Sequence, residues 1–134
     1  MILVDAGPLI ALLHRDDGNH GRCVEAFRRL REPMATAWPV VTEAMHLLGF
    51  SWEAQDALWE MLGTDHLKLL PLDARDALRM RDLMRKYRDL PMDIADASLV
   101  RLAEREGLRR VFTTDRRDFG VYRVGRTGRF AIVP

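Results

Sequence analysis

The chain is poor in cysteine. Its 134 residues include one, Cys23, so no intrachain disulfide can form. That excludes a small secreted scaffold held together by disulfides. It also lacks an excess of charge of either sign. Lys and Arg total 21, Asp and Glu 20, and the formal net charge is +1. No global basic field advertises nucleic acid. Lysine is almost missing, with only Lys68 and Lys86 among the basic residues. Arginine supplies the rest, which suits bidentate phosphate recognition but also follows from GC-rich codon usage. No apolar run has membrane length, and no secretory leader is recognisable. The expectation is a soluble, cytoplasmic protein without a membrane partner.

An apolar content of 48% is enough for a real core. The length suits a single domain over residues 1–134. Cys23 heads the apolar series Cys23, Val24, Phe27 and Leu30, which predicts a helix over 20–31 and a buried structural thiol. A first strand is expected at 2–5, a helix at 7–15, and a short second strand within "MATAWP". Pro39 opens a helix to Leu48, and Ser51 caps another over 52–62. "HLKLLPL" (66–72) reads as a third strand, and Asp73 caps a helix to about Arg88. Asp93 starts a helix ending at Glu106, with Gly107 as its stop. "RRVFTTD" (109–115) reads as a fourth strand and "RFAIV" (129–133) as a fifth. Strands alternating with helices predict an α/β fold with a mainly parallel sheet of about five strands.

Ligands of such sheets sit beyond the carboxyl ends of the strands. Asp5 and Asp115 each end an expected strand. Glu43 shares a helix face with Val40 and Leu47, and Asp96 shares one with Val100 and Ala103. Acids on core-facing stripes break the pattern rule, and such breaks tend to mark function. Asp5, Glu43 and Asp115 also have plain structural explanations, as a helix cap, the partner of a core arginine and the cap of a turn at "DRRDF"; Asp96 is the hardest to explain that way. Asp93 reads better as a cap three residues before an acid at N3. Asp118 is a loop acid or a supporting ligand. Two carboxylates ~4 Å apart repel by ~4 kcal/mol at an effective dielectric of ~20. A cation would relieve this, and oxygen donors select the hard ions Mg²⁺ or Mn²⁺. Such a centre activates water and neutralises phosphate oxygens.

The segments "MILVDAGPLIALL", "VVTEAMHLL" and "LPMDIADASLVRLAEREGLRRVFTTDRRDF" resemble the PIN-domain ribonucleases, above all the VapC-type toxins of toxin–antitoxin pairs. The resemblance runs through nearly the whole chain. It implies a three-layer α/β/α sandwich and a magnesium-dependent acidic site. It makes Asp5, Glu43, Asp96 and Asp115 the candidate catalytic and metal-binding residues. It further implies endonucleolytic cleavage of RNA, a cognate antitoxin and a homodimer. Where relatives often carry a small hydroxyl residue after the first acid, this chain has Ala6; Thr114 is the expected substitute. Arg15, Arg116, Arg117 and Thr114 are candidate RNA contacts, the arginines weighed against ordinary solvated surface charge. The rival from another class is a catalytically silent module that binds RNA or protein. A phosphatase with a strand-ending aspartate needs a second one two residues on, where Gly7 stands. The Glu43-x-x-His46 spacing occurs only once, whereas a di-iron bundle needs it twice. His46 is expected to be a partly buried helix residue.

Overall fold

The computed structural model describes all residues, 1–134. Five short parallel strands form the central sheet: β1 (Ile2–Val4), β2 (Met34–Thr36), β3 (Leu67–Leu69), β4 (Arg110–Phe112) and, at the far edge, Ala131–Val133. A two-stranded antiparallel hairpin, β5 (Arg123–Val124) with β6 (Gly128–Arg129), precedes that edge strand, which is therefore β7. The spatial order is β3-β2-β1-β4-β7. Leu3 is in register with both Ala35 and Val111, so the first strand occupies the centre. Every residue of β1 and β2 is buried. A parallel sheet buried on both faces needs helices on both, which explains the unbroken apolar run "ILV".

The helices are α1 (Ala6–Leu13), α2 (His20–Arg29), α3 (Trp38–Leu47), α4 (Trp52–Gly63), α5 (Ala74–Lys86), α6 (Ile94–Glu106) and α7 (Arg116–Val121). The sequence signals account for most of their ends. Ser51 caps α4 through the Ala54 amide, and Gly107 closes α6 in the left-handed region at φ 68°. α6 is the central helix; Ala95, Ala97, Ser98, Leu99, Val100, Leu102 and Ala103 are all buried.

Four expectations are corrected. The fourth strand ends at Phe112, and the "DRRDF" turn is instead the start of α7, because Asp115 caps it. The fifth strand is only 131–133; Arg129 belongs to the unforeseen hairpin. Cys23 is fully buried as expected, but Phe27 on the same helix is 43% exposed. His46 is exposed rather than partly buried.

α5 and α6 pack as a pair around an unforeseen buried acid. Asp76 accepts from Arg101 Nε at 2.7 Å and from Arg105 Nη1 at 2.9 Å. It also completes a capping box with Asp73.

Candidate active site

Three acids of the site are helix N-caps. Asp5 Oδ1 accepts from the Ala6 amide at 2.8 Å, opening α1. Asp93 Oδ1 accepts from the Asp96 amide at 2.8 Å, opening α6. Asp115 Oδ1 accepts from the Asp118 amide at 2.9 Å, opening α7. Asp115 thus caps a helix and belongs to the acidic cluster at once. The helix N-termini carry partial positive charge, which helps hold carboxylates at one sheet edge.

Asp96, Asp115 and Asp118 can each bring a carboxylate oxygen within 4.8 Å of the others. Asp118 lies on α7, in its first turn, rather than in a loop. Asp96 is partly buried in the first turn of α6, and its Oδ2 accepts from the Tyr122 hydroxyl at 2.7 Å. Burial pushes Asp96 up to about 7. The Tyr122 hydrogen bond opposes that rise, while the charges of Asp5, Asp93 and Asp115 add to it. Asp118 is also raised, by burial and then by Asp115, with Arg117 pulling the other way. Burial and the Asp96 contact in turn push the Tyr122 phenol up, so it stays a donor.

Asp5 sits just behind the trio and is 8% exposed. Its Oδ2 accepts from the Thr113 hydroxyl at 2.8 Å. The same hydroxyl oxygen accepts from the Asp115 amide at 3.0 Å. Burial raises the Asp5 carboxyl despite the Thr113 and Ala6 hydrogen bonds. Glu43, on α3, is half-buried and stands outside the trio. Burial raises it first, then the charges of Asp93 and Asp5.

Thr113 and Tyr122 escaped sequence reasoning. Thr113 follows the strand, and its hydroxyl bonds both the Asp5 carboxylate and the Asp115 amide. Thr114 packs against Gly7, where an added Cβ would lie 2.5 Å from its Oγ1. Gly7 thus lets α1 approach the loop that carries Asp115. Tyr122 lies 26 residues from Asp96, too far for any local signal. Of the candidate RNA contacts, Arg15 and Arg117 are exposed, and Arg116 donates to the Pro134 carbonyl.

A PIN domain family model matches residues 2–125. This chain belongs to the PIN-domain family. Ribonuclease VapC26 of Mycobacterium tuberculosis (strain ATCC 25618 / H37Rv) is 27% identical over 135 residues, covering 99% of this chain and 100% of the relative. The crystal structure of VapC20 from Mycobacterium tuberculosis, a Sarcin-Ricin loop cleaving toxin, superposes with a TM-score of 0.80 at 16% identity, covering 87% of this chain and 92% of that one. A toxin–antitoxin complex from Klebsiella pneumoniae contains a chain similar at TM-score 0.69 and 16% identity, covering 100% of this chain and 97% of that one. These structural likenesses carry the fold, and they agree with the parallel sheet and flanking helices expected of a PIN domain. The resemblance to VapC-type toxins seen in the motifs agrees with them.

The donor chemistry of this PIN domain fits a hard dication. The clustered donor atoms are all carboxylate oxygens, and two of the acids are raised, first by burial and then by their charged neighbours. Sulfur and imidazole, which would favour softer ions, are absent from the trio. No helix of the chain is long and apolar enough to cross a membrane.

Proposed function

We propose that this PIN domain is a magnesium-dependent endoribonuclease that hydrolyses RNA phosphodiester bonds, acting as the toxin of a type II toxin–antitoxin pair. The observation that carries the reading is the convergence of Asp96, Asp115 and Asp118 within 4.8 Å. Family membership and the ribonuclease VapC26 relative support it. Mg²⁺, with Mn²⁺ as substitute, would be held by that trio, and when bound it supplies a more acidic water and neutralises phosphate oxygens.

The protein's own groups do the rest. Asp5 fixes the Asp115 loop through Thr113 and adds negative field behind the trio. Tyr122 orients Asp96 and leaves its other oxygen free. Glu43, with its raised proton affinity, suits taking a proton from the attacking water. Arg117, exposed and next to Asp118 in the chain, is free to take a phosphate oxygen in this reading.

The partners in this reading are an antitoxin and a second copy of the chain, in the cytoplasm. Exposed Leu47, Phe50, Trp52 and Trp59 on and between α3 and α4 supply apolar surface for a protein interface.

The test is RNA cleavage with Mg²⁺ or Mn²⁺, using protein freed of any copurified partner, against Asp5→Asn and Asp96→Asn. The wild type should cut and both variants should lose most of the activity. Metal-independent cleavage, or equal activity in the variants, overturns the reading. Tight RNA or protein binding without cleavage favours the silent module.

A further inference from the structure

A second feature lies away from the acids. A cavity of about 640 Å³ opens between α5, the end of α6 and the β5–β6 hairpin. Its charged lining is Arg79, Lys86, Arg109, Arg126 and a single acid, Glu104. Glu104 is already engaged by Arg79 in a two-pronged pair at 2.7 and 3.0 Å. Lys86, Arg109 and Arg126 meet no carboxylate. Three unneutralised cations facing one concavity repel each other and attract an anion.

The lining also says which anion. Only Ala103 and Val124 are apolar, so a docking peptide would find almost nothing to anchor side chains. A phosphodiester backbone needs only cations. Gly107 and Gly125, both at φ 68°, keep the rim open, with nothing within 4 Å of an added Cβ. The Arg109 guanidinium lies against the hairpin, in the spot where a Gly128 Cβ would stand. Lys86 lies over the Tyr87 ring, 5.2 Å from its centroid. That ring stacks edge-on against Tyr122, the residue bonded to Asp96.

We propose that this cavity is a phosphate-binding exosite that grips the RNA substrate's backbone away from the cut. The inference rests on the ribonuclease reading above. Along α6, at ~1.5 Å per residue, Gly107 lies roughly 16 Å from Asp96. A strand rising ~3.4 Å per nucleotide needs at least about five nucleotides for that, because α6 is buried and the path runs around it. The exosite therefore favours substrates with a tail over very short ones, and contributes affinity without base preference.

The experiment compares wild type with the double variant Lys86→Gln/Arg126→Gln, leaving Arg109 because it packs on the hairpin. The first measurement is the affinity for a labelled single-stranded RNA of about a dozen nucleotides, in EDTA, across a salt series. Losing two phosphate contacts should lower the slope of log affinity against log salt by about 1.4, and weaken binding about tenfold near 0.15 M salt. In Mg²⁺, KM for the same RNA should rise about tenfold with kcat unchanged. An unchanged slope and KM in a protein whose wild type cuts RNA overturns the exosite. Loss of antitoxin binding with RNA affinity intact does so too, and assigns the cavity to a protein. A reduced slope in a protein whose wild type cuts nothing leaves the exosite standing and sinks the ribonuclease reading instead.

Discussion

The Thr113 hydroxyl hydrogen is given to Asp5, and its lone pair receives the Asp115 amide, so one side chain ties the first strand to the α7 loop. Thr113→Val keeps the shape and removes both bonds. It strands a buried amide and takes a donor from a buried carboxylate, at about 1–3 kcal/mol. Urea denaturation should register that loss, and divalent-ion affinity should fall with it. Thr113→Ser should restore both. A valine variant as stable and as metal-avid as wild type would remove Thr113 from the site's framework.

The Asp96 carboxyl, held near 7, gives the site a pH dependence of defined sign. A raised carboxylate favours the fold while protonated. Its contribution is present below ~3.8, the unfolded value, and is lost as pH climbs through about 7. The metal-free protein should therefore lose melting temperature over that window. Mg²⁺ should oppose the loss, so the gap between Mg²⁺ and EDTA melting curves should widen through pH 7. Tyr122→Phe removes the donor that favours the ionised form, and should move this transition to higher pH. Asp96→Asn should flatten it. A gap independent of pH in wild type would contradict the assignment.

Asp76 titrates in the opposite sense. Burial opposes its ionisation, but the Asp73 amide, Arg101 and Arg105 outweigh that and hold it at about 2. Its stabilisation is complete above ~3.8 and vanishes as pH falls through about 2. Asp76→Asn should cost about 2 kcal/mol at pH 7. The difference from wild type should shrink steadily between about pH 4 and pH 2. Equal chemical denaturation of the two proteins at neutral pH would show that the α5–α6 pairing does not depend on this ion cluster.

The fold was legible where local chemistry and tertiary role agree. The apolar run of β1, the cap at Ser51 and the stop at Gly107 each announce themselves within a few residues. Asp115 shows where such reading stops. Its sequence neighbours suit the end of a strand, yet the strand has ended at Phe112, and the Asp115 carboxylate captures the Asp118 amide and starts a helix at Arg116. The site divides along the same line. Asp96 stood out as a charge on an apolar stripe. Asp118 looked like a loop acid until α7 turned it toward Asp96 and Asp115. Thr113 and Tyr122 act only through distant partners, Asp5 and Asp96, and a single sequence carries no mark of such pairs. Asp76 is the intermediate case, since the Asp73-x-x-Asp76 spacing signals a cap but not the two arginines that reach it from α6.

The sheet order has a bearing on biosynthesis. Of the strands in this sheet, the one made before the others is the middle one, and its two flanking strands are 34–36 and 110–112. The acidic trio also needs residue 118. A nascent chain that stops short of residue 110 has neither the central pairing of β1 with β4 nor an assembled centre. Whatever chemistry this acidic centre performs, synthesis must pass residue 118 before it can begin.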